Sequence, residues 1–324
     1  MADASARLIC PACGSGEGAV VARARDTEYC TSDRVYSYAE CGDCGTLFLL
    51  EPPVDALRSI YPPTYYSYQQ DGGDTSWLQS VKSGLDVRMF RKLLDQLPGD
   101  SLRVLDVGGG SGWLLSQVRE ASPRVAETHE VDIDPGAAEA ARQAGHLFHC
   151  VTIEEFEAVE PFDLVLMLNI IEHVADPGRV LRAVERCLRP GGLVLIKTPN
   201  AKTLDRWLFE QRNWGGFHCP RHFVIFTRAS FLALAERSGL DCLAAEYTQG
   251  APQWATSILG WLSLKGWVTV RADKPMYHHA LYGPLLALFA AFDFMRRPFA
   301  PTAQMWVTLR KAEGGGASAP RSSG

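Results

Sequence analysis

The sequence predicts an α/β protein built on a doubly wound, largely parallel sheet, preceded by a small cysteine-bearing module. Three observations carry that expectation. Residues Val104-Leu105-Asp106-Val107-Gly108-Gly109-Gly110-Ser111-Gly112 run from an apolar strand into a glycine-packed turn and then an amphipathic helix. The continuous apolar runs 162–168 and 193–196 suit strands covered by helices on both faces. Helical periodicities separate the strand runs, which is the alternation that produces a parallel sheet.

Along the chain, residues 1–70 read as a first unit of short alternating stretches with paired cysteines, closing in the aromatic linker 61–68. A second unit, 71–250, begins with a helix in which Trp77, Leu78, Val81, Leu85, Met89, Leu93, Leu94 and Leu97 recur at helical spacing until Pro98-Gly99. Strands are expected at 102–107, 124–132, 163–169, 192–198 and 240–247. Asp134-Pro135 and Asp176-Pro177 are helix starts, and Pro190-Gly191-Gly192 is a stop. A third unit, 251–312, holds an unusually apolar helical insertion (252–299) before a final strand at 304–310. The Gly/Ser/Pro-rich tail 313–324 is expected to be disordered. No internal repeat is present.

With 324 residues, 47% of them hydrophobic and 21% charged, the chain can bury a full core. A net charge of -5 offers no electrostatic footprint for a nucleic acid, so small or lipid-like partners are expected. The N-terminus lacks the basic start and apolar run of a secretory signal, which predicts a cytoplasmic, reducing setting. There, nine cysteines favour metal over disulfides.

The glycine turn is a ligand site. Gly108, Gly110 and Gly112 let bare backbone approach a ligand at a helix N-terminus, and Asp132, ending the next strand, is placed for a ribose diol. A dinucleotide fingerprint needs glycine at 113, where this chain has Trp113, so S-adenosylmethionine is favoured over a dinucleotide.

Four segments then carry a family resemblance: 105–112, Val131-Asp132-Ile133-Asp134-Pro135, the run from Phe162 through Asn169 and Glu172-His173-Val174 to Pro177, and the run Leu188 to Asn200. With them the middle of the chain resembles class I S-adenosylmethionine-dependent methyltransferases, in the quinone-methyltransferase-like branch. The pattern Pro220-Arg221-His222 followed by Phe226-Thr227 fits it too. The resemblance implies the seven-stranded methyltransferase fold. It also implies that Asp106 orders the loop and meets the methionine amine, Gly108 and Gly110 admit the cofactor, Asp132 holds the ribose, and Leu168 and Asn169 flank the methionine moiety. The run Val151-Thr152-Ile153-Glu154 departs from the usual acidic signature of the adenine pocket.

Cys10, Cys13, Cys41 and Cys44 form two CxxC knuckles, each followed by glycine, and suit a structural, tetrahedral Zn2+. Cys30, Cys150, Cys187, Cys219 and Cys242 are expected to be packed. His218 and His222 are the candidate bases, the alternative being that His222 only fixes its loop. Glu172 and His173 fit a helix-start or cofactor-side role, and Arg221 either an anionic substrate or a carboxylate partner.

The insertion 252–299 reads as a lid, a homodimer contact or a peripheral membrane surface at the inner face of a membrane. The expected activity is methyl transfer to an oxygen or carbon of a small or lipid-linked molecule, quinone-like or saccharide. The alternatives are an RNA methyltransferase, disfavoured by four basic against seven acidic residues in 1–50, and a non-catalytic zinc and nucleotide-binding scaffold.

Overall fold

The computed structural model describes residues 8–62, Tyr65 and 77–313. Strands whose alternate side chains enter two different cores build its larger sheet. β4 (Leu102–Val107), β5 (Val125–Val131), β6 (Leu147–His149), β7 (Phe162–Leu168) and β8 (Leu188–Pro199) pair in parallel. β10 (Leu240–Thr248) and β11 (Gln304–Lys311) add two antiparallel strands, in the order β10-β11-β8-β7-β4-β5-β6. Leu102, Val104, Leu164, Leu166, Leu193 and Leu195 join one core, on the side of α2 (Trp77–Leu94) and α3 (Trp113–Ala121). Their neighbours Leu105, Val107, Val165, Met167, Val194 and Ile196 join the core on the other face. The uninterrupted apolar strands are thus explained by burial on both sides.

The expected strands are present, and β6 is an addition too short to show in the apolar pattern. Both Asp-Pro starts hold: the Asp176 side chain accepts from Arg179 N at 2.8 Å to open α5 (Pro177–Cys187), and Asp134 accepts from Gly136 N at 2.9 Å. Pro190-Gly191-Gly192 does not stop α5, which ends at Cys187; it lies inside the start of β8, with Gly191 at φ +76°. Leu93, Leu94 and Leu97 of the predicted stripe are buried, whereas Leu85 is exposed and Val87 and Phe90, outside the stripe, are buried. Parts of the linker (63–64, 66–70) and the tail beyond Glu313 lie outside the described residues.

The smaller sheet differs most from expectation. β1 (Gly18–Ala24), β2 (Tyr36–Cys41) and β3 (Leu47–Leu49) form an antiparallel meander, and β9 (Val224–Ile225) pairs with β3 as the fourth strand. The N-terminal meander is therefore completed by a segment some 175 residues downstream. A buried ion pair fixes that junction. Arg221 Nη2 donates to Asp26 Oδ2 at 2.8 Å, with both side chains fully buried. Arg221 also donates to the carbonyls of Ile60 (2.7 Å) and Cys219 (3.2 Å), and its guanidinium lies 4.4 Å from the centre of the Tyr29 ring. Asp26 accepts from Tyr29 N, Thr31 N and Thr31 Oγ1. Burial pushes the Asp26 carboxyl up, but the Arg221 charge and these donors outweigh it, so its pKa is lowered.

The insertion forms a hairpin of α8 (Ala251–Leu264) and α9 (Tyr282–Arg296). α8 lies over residues 215–217, where Gly215 N donates to Ser257 Oγ at 2.8 Å. No helix among the described residues is long and apolar enough to cross a membrane.

Removing one partner of a satisfied buried pair leaves a bare charge, so Asp26→Ala is expected to cost about 3–5 kcal/mol in equilibrium urea unfolding at pH 7. Because the Asp26 pKa is lowered, its contribution is present above the unfolded value of about 4 and is lost as pH falls through the lower folded value. The stability gap between wild type and variant in unfolding curves should narrow as pH falls from 7 toward 3.

Candidate active site

The turn between β4 and α3 brings three acids under one loop. Gly108, Gly110 and Gly112 have φ of +73°, +63° and +78°, a region that favours glycine. A Cβ at Gly108 would stand 2.4 Å from Ile170 Cδ1, whereas one at Gly110 would meet nothing within 4 Å. The loop is thus packed below and open at Gly110. Asp132 accepts from Gly110 N (3.1 Å) and Asp134 N (2.8 Å), and Glu130 Oε1 accepts from Gly109 N at 2.6 Å.

Both oxygens of Asp106 are buried without a hydrogen-bond partner among the described residues. Burial and then the Asp132 charge push the Asp106 carboxyl up to about 7. A buried acceptor left unpaired beside an open glycine fits an incoming ammonium group, as S-adenosylmethionine carries. Asp132 sits at the carboxyl edge of the sheet, where a ribose would be held. Leu168 ends β7, and Asn169 follows at φ +58°, its N–H donating to Lys197 O at 2.8 Å.

Beyond Asn169 the chain turns through Ile171–His173 into a second cluster. His222 Nδ1 donates to Gly216 O at 2.8 Å, and a carbonyl can only accept, so Nε2 carries the lone pair. That Nε2 is 4.0 Å from Glu172 Oε1, and Glu172 Oε2 accepts from Thr198 Oγ1 at 3.0 Å. His173 Nδ1 donates to Arg221 O at 2.9 Å, with the Tyr61 hydroxyl also 2.9 Å away. His218 Nδ1 meets Glu28 Oε2 at 2.9 Å, and its ring lies 5.0 Å from that of His222. The rings of Tyr29 and Tyr65 pack beside His218.

Burial and then the His218 charge hold His173 down at about 3, and burial and then His173 hold His222 well below the ordinary histidine range. Burial raises Glu172 to about 8. Near neutral pH His173 and His222 are therefore neutral imidazoles beside a protonated Glu172. Glu172, His173 and His222 also place three ligating atoms within 4.8 Å of one another, a spacing that a divalent cation fits.

The two knuckles have the same turn. Gly14 N donates to Cys10 O and Gly45 N to Cys41 O, with φ of +79° and +69°. Cys10 Sγ lies 3.6 Å from Cys44 Sγ and Cys13 Sγ 3.5 Å from Cys41 Sγ. A tetrahedron of Zn–S bonds has edges of about 3.8 Å, whereas a disulfide needs about 2 Å, so the four thiols fit a metal. Thr227 donates to Cys44 O at 3.2 Å and Arg237 to Ala12 O, which seats both knuckles on α7 (Arg228–Arg237).

The structure brings His218 and His222 together, and Asp106, Gly108, Gly110 and Asp132 together. It shows Arg221 paired with Asp26 rather than facing a ligand. Cys187 and Cys219 are buried as expected, but Cys30, Cys150 and Cys242 are exposed; Cys242 lies on the outer strand β10, which leaves it in solvent. Sequence reasoning missed Glu130 and Glu28. For Glu130 a signal existed: an acid two residues before Asp132 shares its strand face.

A family model described as a methyltransferase domain matches residues 82–245. Ubiquinone biosynthesis O-methyltransferases of Bradyrhizobium sp. and Parvibaculum lavamentivorans are 31% and 35% identical to this chain over 187 and 163 residues. These matches cover 51% and 48% of this chain and 69% and 59% of the relatives. The chain thus spans about two thirds of the relatives it matches. Among solved structures, coclaurine N-methyltransferase bound to N-methylheliamine and S-adenosylhomocysteine has a similar fold. Its TM-score is 0.50 at 14% identity, covering 80% of this chain and 82% of that one.

Proposed function

The chain belongs to the methyltransferase-domain family, and we propose that it moves the methyl group of S-adenosylmethionine onto a hydroxyl oxygen of a small aromatic, quinone-like acceptor. One observation carries this reading. The segment 168–173 touches the glycine loop through Ile170 and the histidine cluster through Glu172 and His173, so a donor site and a proton-accepting site share one turn. The relatives named for ubiquinone O-methylation support the acceptor class.

S-adenosylmethionine supplies an electrophilic methyl group, for which alignment matters more than activation. Asp106 and Asp132 would hold its ammonium and ribose ends, and Gly108 and Gly110 would admit it against bare backbone. His222 is the base: its Nδ1–H is anchored on Gly216 O, so Nε2 is free to take the acceptor's hydroxyl proton. His218, paired with Glu28, orients the acceptor from the other side, and the rings of Tyr29 and Tyr65 form an aromatic wall there. The four cysteines would hold Zn2+ as a structural ion, because all four positions are thiols and none is left for substrate.

The insertion exposes Trp267, Leu288, Phe294, Met295 and Phe299, along with Lys265 and Arg297, whose guanidinium lies over the Phe294 ring. That composition supports contact with an anionic lipid surface, which would suit an acceptor with a long apolar tail.

Three outcomes are expected. His222→Gln should lower kcat on hydroxylated aromatic acceptors by about 10²–10⁴ with unchanged S-adenosylhomocysteine affinity by calorimetry; unchanged kcat would remove the base role. Elemental analysis of the purified chain should find zinc at one ion per chain, and chelation should lower its melting temperature; a metal-free chain of equal stability would contradict the structural ion. In flotation with anionic liposomes, Leu288→Glu/Phe294→Glu should stay behind while the wild type floats; equal behaviour would leave the hairpin as a cover or a self-contact.

A further inference from the structure

The histidine cluster and the knuckles do not account for Glu130, a fully buried acid on β5 with no surface exposure. Its Oε1 accepts from Gly109 N at 2.6 Å, while its Oε2 has no partner among the described residues. Both oxygens of Asp106, register partner of Glu130 on β4, are likewise unpartnered. A Cβ at Gly109 would stand 2.1 Å from Asp106 Oδ2 and 2.6 Å from Glu130 Oε2, so the two orphaned carboxyl oxygens flank one point beneath the loop. Three unpaired acceptor atoms in that space repel unless a proton joins them.

We propose that Glu130 is a positioning residue for the methyl-donor site: as a neutral carboxylic acid it holds Gly109 through one oxygen and shares its proton with Asp106 through the other. The pair then presents one negative charge, on Asp106, to the ammonium end of the donor. The inference rests on the reading that this loop binds S-adenosylmethionine.

The groups facing Glu130 assign the proton. Asp106 faces it from β4 and Asp132 from the end of its own strand, while its register partner on β6 is Phe148, which carries no charge. Burial raises the Asp132 carboxyl, and the N–H groups of Gly110 and Asp134 that it accepts from oppose that rise, whereas Glu130 has one such donor. Burial, then the charges of Asp106 and Asp132, push Glu130 well above the carboxylate range. Among the described residues the Gly109 N–H is held by Glu130, so loss of that acid frees this N–H as well as the proton.

Calorimetric titration of S-adenosylhomocysteine between pH 5.5 and 8.5 tests this in wild type, Glu130→Gln, Glu130→Ala and Asp106→Asn. An amide reproduces the acceptor and donor of a protonated acid, so Glu130→Gln should recover most of the affinity that Glu130→Ala loses, the loss being about tenfold or more. Asp106 must ionise to meet the ammonium, so wild-type affinity should fall by about tenfold per pH unit below its pKa of about 7. That acid limb should persist in Glu130→Gln and vanish in Asp106→Asn.

The proposal is overturned if Glu130→Ala binds as wild type does, or if Glu130→Gln loses both affinity and acid limb, which would make Glu130 the anion. A wild-type chain that binds no S-adenosylhomocysteine would instead overturn the donor reading beneath it, so the two failures are distinguishable.

Discussion

The ion pair between Asp26 and Arg221 is the constraint on which the arrangement of the site depends. Two charges without solvent contact are stable only when they are well satisfied, and here Nε, Nη1 and Nη2 of Arg221 each meet an acceptor in Asp26 or in nearby backbone. Arg221 is the neighbour of His222, its carbonyl receives His173 Nδ1–H, and Phe223 N donates to Glu172 O at 2.8 Å. The pair therefore sets the position of a loop that carries one histidine and orients another. Asn213 bonds Arg25 N and Thr27 Oγ1, and Tyr38 bonds the carbonyls of Phe217 and His222, repeating the same connection at other points. On this account the N-terminal meander is a wall of the reaction site.

Electrostatics divides the site in two. Beneath the glycine loop, acids are crowded and the pocket is short of positive charge, a condition that an ammonium relieves. Around Glu172 the imidazoles of His173 and His222 are held neutral by burial. A methyl donor bearing a positive charge and an acceptor about to lose a proton need those opposite environments. Residues 168–173 link them through one turn, with Ile170 packed against Gly108.

The parallel sheet, the glycine loop, Asp132 and the cysteine knuckles were legible because each depends on local chemistry: strand burial, positive φ, a strand-end acid, a turn that aims thiols. Those features leave marks within a few residues. The pairing of β9 with β3 did not, because two residues of strand have no periodicity and the partner lies far away in sequence. Arg221 could be read as a ligand group or an ion-pair partner until Asp26 was found opposite it. Glu28 and Tyr29 join the histidine cluster only through tertiary packing, and nothing in their immediate neighbourhood distinguishes them from other residues of a small module. The exposed Leu85 of α2, beside buried Val87 and Phe90, shows the same limit, since helical spacing identifies a face only approximately.

The most direct test of the account is amide hydrogen exchange of the full chain, compared between wild type and Asp26→Ala in the presence of S-adenosylhomocysteine. If the buried pair holds the meander and the histidine loop as one unit, exchange should accelerate together at 24–31 and 213–223, while amides at 108–112 keep their ligand protection. Acceleration confined to 24–31, with 213–223 unchanged, would show that the loop is held independently, and that the module is an attachment rather than a wall of the site.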